Sequence, residues 1–118
     1  MIGVGIDAVD VERFAAMLAR RPELAERLFT EGERADGGDS AARLGARFAA
    51  KEAVMKALGV GLGAFAFHDV EVLRLGSGAP DLRVTGGAAR LAGERGVVTW
   101  TISLTHSVTT AGAVVTAT

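Results

Sequence analysis

Val98-Thr-Trp100-Thr-Ile102-Ser-Leu104-Thr-His106 decides the fold class: Val98, Trp100, Ile102 and Leu104 alternate with Thr99, Thr101, Ser103 and Thr105. A period of two is the mark of a strand with one face against a core. His106 shares the parity of Trp100, Ile102 and Leu104, so an imidazole falls on the inward face where the strand ends. A core histidine bonded to a backbone carbonyl and a ligand contact are both open readings of it. A turn near Ser107 and a last strand through Val114 and Val115 follow.

Upstream, residues 86–95 suit a helix, and turn-flanked strands are expected near 69–75 and 81–85, separated by Gly76-Ser-Gly-Ala-Pro80. A helix is expected from a cap at Asp39 or Ser40 to Leu58, stopped by Gly59 and Gly61. Residues 31–40 are polar and glycine-rich and read as a loop. A short helix is expected over Leu24–Phe29, and one with apolar positions Val11, Phe14, Ala15 and Leu18 ends before Arg21-Pro22. At the N-terminus Ile2, Val4 and Ile6 alternate with Gly3 and Gly5, a strand whose glycines admit another backbone or a ligand, with Asp7 at its end. This succession of strands and helices predicts α+β: a mainly antiparallel sheet packed against helices, in one domain of residues 1–118.

Ala and Gly supply 38 of the 118 residues, Phe and Trp only six, and Tyr none. A core of small side chains buries little area per residue, which favours subunit association to cover the remainder. A net charge of −1 excludes bulk electrostatic binding to nucleic acid or an anionic membrane. The absence of Cys excludes disulfides, thiolate metal sites and a cysteine nucleophile. An acid at position 7 interrupts the N-terminal apolar stretch, and no apolar run approaches membrane length, so the chain reads as soluble and cytoplasmic.

On a helical wheel Leu44, Phe48, Met55 and Leu58 form one stripe, and Lys51 falls inside it. Glu52 and Lys56 stand at i, i+4 on one flank, close enough to share an ion or a ligand. A snorkelling lysine beside a surface ion pair accounts for the same spacing. The chain has eleven Arg but only two Lys, both in this stretch, which hints that a compact ammonium is wanted, as in a phosphate contact. Asp7 is open to two readings, a functional carboxylate or a helix cap. Together Asp7, Glu52, Lys51, Lys56 and His106 suit magnesium and a phosphorylated ligand better than acyl or glycosyl transfer.

Several pieces resemble the short, free-standing 4′-phosphopantetheinyl transferases, the holo-acyl-carrier-protein synthase family. They are Gly5-Ile-Asp-Ala-Val-Asp-Val-Glu-Arg13-Phe14, Phe29-Thr30 with Glu33, Arg47-Phe48-Ala-Ala-Lys51-Glu52-Ala53 with Lys56-Ala57 and Gly59, and Ser103-Leu-Thr-His106-Ser. These lie in the family's order across nearly the whole chain. Residues 34–43 depart from it, being richer in Gly and acids, and Gly78-Ala-Pro80 matches only loosely.

The resemblance implies Mg²⁺-dependent transfer of the 4′-phosphopantetheine arm of coenzyme A to a serine of an apo acyl carrier protein, with release of adenosine 3′,5′-bisphosphate. It implies a place in fatty acid biosynthesis, though carriers of polyketide and peptide synthesis present the same serine. Asp7 and Glu52 are then the metal ligands, and Glu52 and Lys56 the catalytic pair. Glu52 is the candidate base, directly or by way of a water; Lys56 holds a pyrophosphate oxygen, and Arg47, Lys51 and His106 contact other phosphates or the nucleotide. Arg13, Arg20 and Arg21 become docking charges for an acidic carrier, a solvated helix face being their other reading. The short length implies a homotrimer with sites between subunits. Another Mg²⁺-dependent transferase or hydrolase of nucleotide pyrophosphates, and a non-catalytic module that binds coenzyme A or a carrier, are the alternatives.

Overall fold

Alternating residues at the two ends of the chain come together on a shared strand. The computed structural model describes residues 1–118. In chain order the elements are β1 (Gly3–Asp10), α1 (Val11–Arg20), α2 (Leu24–Leu28), α3 (Glu31–Gly37), α4 (Ala41–Leu58), a 3-10 turn at Phe67–Asp69, β2 (Val70–Arg74), β3 (Pro80–Val84), α5 (Gly86–Glu94), β4 (Trp100–His106) and β5 (Thr110–Ala117). One sheet has the order β1-β5-β4 and a second pairs β2 with β3, every pairing being antiparallel. In the larger sheet Ala113 of β5 stands opposite Asp7 on one side and Leu104 on the other.

Helix α4 is the axis of the molecule. Its Ser40 cap accepts from the Arg43 amide, and Gly59 ends it in the left-handed conformation at φ 71°. The apolar stripe proves too narrow a description, because α4 is buried on most of its circumference, from Leu44, Gly45 and Ala46 to Ala57 and Leu58. Small residues make that enclosure possible. A Cβ on Gly3 would stand 1.9 Å from the Ala57 carbonyl oxygen, and one on Gly5 1.8 Å from that of Ala53, so β1 lies directly against the helix backbone. Ala111, Ala113, Val115 and Ala117 of β5 are buried on the same face of the sheet.

Two elements differ from expectation. β1 continues to Asp10, which places Asp7 mid-strand, and the cap of α1 is Asp10, whose Oδ1 accepts from the Arg13 amide at 2.9 Å. Residues 31–37 form α3 rather than a loop, since Thr30 and Glu33 make a reciprocal capping box that satisfies two of its free amides. Ile2, Val4, Ile6 and Val114 are exposed, and three of them share the face of the sheet turned away from α4.

Candidate active site

At the contact between β1 and α4, Asp7 projects toward the helix, as do Gly3 and Gly5, and meets the flank carrying Glu52 and Lys56. The Lys56 ammonium donates to the Ile6 carbonyl at 2.9 Å and to Asp7 Oδ1 at 3.1 Å, leaving one of its three donors free. Partial burial pushes the Glu52 carboxyl up from its usual value; the Asp7 charge adds to the rise, and Lys56 opposes it. Two carboxylates thus stand close together with one ammonium between their interests. This donor set fits a hard divalent cation that takes oxygen ligands and completes its shell with water and ligand phosphates. No group of three or more His, Asp or Glu side chains is present, so the chain offers no closed metal cage.

A second concentration of charge lies on the other side of α4. A groove of about 350 Å³ is lined by Arg43, Arg47, Arg74 and His106, with Gly78 and Pro80 from the β2–β3 end. No carboxylate lines it. His106 keeps the inward parity of Trp100 yet is exposed, because α4 and the second sheet leave the end of β4 uncovered. At 100° per residue, Arg43 and Arg47 stand about 140° to 180° from Glu52 and Lys56 around α4. The helix, roughly 10 Å across with its side chains, therefore separates the basic groove from the carboxylates.

Lys51 joins neither group, which corrects its reading as a phosphate contact. Its side chain is 0% exposed and its ammonium spends all three donors inside the protein: on Glu33 Oε1 at 2.7 Å, the Phe67 carbonyl at 3.0 Å and the Val70 carbonyl. The Phe29 ring lies 5.9 Å away. Burial pulls the Lys51 ammonium below its usual range, and Glu33 counteracts the fall. Glu33 is equally buried and also accepts from the amides of Thr30 and Val72. Arg13 and Arg20 border an apolar depression with Phe14 and Met17 of α1 and Phe48 of α4, while Arg21 pairs with Glu23 at 3.1 Å beyond it. Asp36, Arg43 and Arg74 were not singled out in the sequence, because their importance rests on contacts between distant segments.

The 4′-phosphopantetheinyl transferase superfamily model matches residues 3–117. The chain belongs to this superfamily. Among curated proteins, this transferase is 52% identical to the holo-[acyl-carrier-protein] synthase of Frankia casuarinae over 90% of the chain and 87% of that protein. It is also 52% identical to the protein of the same name from Streptomyces coelicolor, over 98% and 95%. Among solved structures, the Helicobacter pylori holo-[acyl-carrier-protein] synthase in complex with coenzyme A matches with a TM-score of 0.88 at 26% identity, covering 98% of this chain and 99% of that one. The Neisseria meningitidis synthase matches at 0.89 and 29% identity over 100% and 99%. These likenesses cover the whole α+β architecture, both sheets included. No helix of this transferase is long and apolar enough to cross a membrane.

Proposed function

We infer that the chain, acting as one domain in the cytoplasm, transfers the 4′-phosphopantetheine arm of coenzyme A to a serine of an apo acyl carrier protein and releases adenosine 3′,5′-bisphosphate. The observation that carries this reading is the meeting of Asp7, Glu52 and Lys56 at the β1–α4 contact in a chain matching the family along its length. In the reaction the serine oxygen bonds to the phosphorus next to pantetheine, and the bond from that phosphorus to the bridging oxygen breaks. Glu52, whose carboxylate is made a better proton acceptor by burial and by Asp7, takes the serine proton. Lys56, held by the Ile6 carbonyl and Asp7, gives its free donor to a pyrophosphate oxygen and stabilises the charge of the leaving phosphate. Asp7 and Glu52 would hold Mg²⁺, which supplies neutralisation of phosphate charge when bound.

Arg47 and His106, with Arg43 and Arg74, receive the nucleotide end. Because α4 separates them from the carboxylates within one chain, a ligand that uses both sets bridges two copies. The exposed Val4, Ile6 and Val114 on the uncovered sheet face are apolar surface for that association, and a homotrimer is the assembly we propose. Arg13 and Arg20, beside the apolar depression of α1, with Arg21 at its end, dock the acidic carrier.

Product identity is the test. Chromatography of a reaction holding the chain, coenzyme A, Mg²⁺ and an apo carrier should yield adenosine 3′,5′-bisphosphate only when the carrier is present. Release of the nucleotide without carrier would indicate a hydrolase, and binding without release a non-catalytic module.

A further inference from the structure

Helix α3 carries two carboxylates three positions apart, and each reaches the same two elements. Glu33 meets Lys51 of α4 and the Val72 amide of β2; Asp36 meets Arg47, one turn earlier on α4, and Arg74, two residues further on β2. Those intervals are the same-face spacings of a helix and a strand, so the two sets are successive rungs across one junction. They differ in access. Glu33 and Lys51 are sealed at 0% exposure, whereas the side chains of Arg47, Asp36 and Arg74 are 9%, 23% and 54% exposed and stand beside the basic groove.

Arg47 is nearly enclosed. Its Nη1 donates to the Arg43 carbonyl at 3.1 Å and its Nη2 to Asp36, while its Nε is buried without a partner. A carbonyl and a carboxylate together fix the plane of the guanidinium and leave its remaining Nη hydrogens for a ligand. Arg74 has Asp36 as its ion-pair partner at 3.3 Å on Oδ1, the oxygen that Arg47 does not use. One carboxylate thus joins two like charges from different elements that would otherwise repel.

We propose that Asp36 is a positioning residue, tying Arg47 and Arg74 into one guanidinium pair that receives a phosphate of the nucleotide. This rests on the reading of the basic groove as the nucleotide end. Asp36 itself does not touch the ligand. Its removal has two opposed effects, a gain of net positive charge in the groove and the loss of a fixed geometry. The enclosure of Arg47 makes the second effect larger, because a buried guanidinium without its carboxylate must move to find another partner.

The test uses Asp36→Asn, which keeps the shape and removes the charge. Calorimetry with adenosine 3′,5′-bisphosphate should show Kd raised about tenfold, the effect of losing one charge-assisted contact, and KM for coenzyme A should rise in step. kcat and the carrier KM should stay within about twofold of wild type, a split that general loosening of the fold would not produce. Asp36→Glu should restore most of the affinity. Nucleotide affinity equal to or above wild type in Asp36→Asn overturns the proposal. Should that variant lose its fold, Arg74→Gln, at an exposed side chain, decides in the same way: weaker nucleotide binding supports the pair, and unchanged binding overturns it. Wild-type protein that binds no nucleotide overturns the reading of the groove, and this inference with it.

Discussion

Replacing Lys51 with methionine separates a structural lysine from a ligand-binding one. The substitution keeps the length of the stem and removes the ammonium from a site at 0% exposure. Glu33 is then left buried with the amides of Thr30 and Val72 but no counter-charge, and the Phe67 and Val70 carbonyls lose a donor. Breaking a buried ion pair from one side costs about 3–5 kcal/mol. With an unfolding entropy of about 2.1 cal/mol/K per residue over 118 residues, each kcal/mol moves Tm by about 4 °C, so Tm should fall by roughly 12–20 °C. The assay is thermal unfolding followed by circular dichroism at one protomer concentration, since association makes Tm concentration-dependent. The Glu33→Gln, Lys51→Met double variant should lose less than the sum of the two single changes. A Tm within about 3 °C of wild type, together with a raised KM for coenzyme A, would refute the structural role and return Lys51 to the ligand.

Glu52→Gln should lower turnover at least about a hundredfold, the usual weight of a positioned base, as measured by initial rates. Because the folded pKa of Glu52 is raised above its ordinary 4.5, its favourable contribution is present below that value and is lost as pH rises through the folded value. Thermal unfolding should therefore give the glutamine variant a Tm equal to or above wild type at pH 7, and no advantage near pH 4. Lys56→Ala should lower kcat, and Lys56→Arg should recover little, because a guanidinium fork does not fit the place of an ammonium held between a carbonyl and Asp7; steady-state kinetics check both. Gly5→Ala puts a Cβ 1.8 Å from the Ala53 carbonyl oxygen, so β1 must lift off α4 at a cost of at least about 1–3 kcal/mol, read as a lower Tm.

Where residues repeat with a period, the elements were legible. β4 and α4 stand close to their expected limits, and the glycines of β1 do admit another backbone. Helix α3 was hidden because its residues are polar and rich in glycine, and its stability comes from Glu33 and Asp36 reaching α4 and β2, which no local pattern reveals. Thr30 and Glu33 did carry the capping-box spacing, the one signal that could have found it. The continuation of β1 to Asp10 was missed because Asp7 interrupts the apolar stretch with a charge and Val9 has the parity of Gly3 and Gly5 rather than that of Ile2, Val4 and Ile6. Lys51 lay correctly on the apolar stripe, but the wheel could not show that Glu33, from a segment eighteen residues earlier, would meet it there. Conversely, Glu52 and Lys56 are neighbours by helical spacing alone, and Asp7 joins them through the packing of two glycines.

If Asp7, Glu52 and Lys56 carry out phosphopantetheine transfer, the intact mass of the carrier records it. An apo acyl carrier protein incubated with the chain, coenzyme A and Mg²⁺ should gain the mass of one phosphopantetheine group on its serine; over the time that takes, it should gain nothing in excess chelator, and folded Glu52→Gln should modify about a hundredth of it or less. A carrier of unchanged mass with the wild-type chain, or full modification by Glu52→Gln in the same time, would mean that these residues do not perform the transfer.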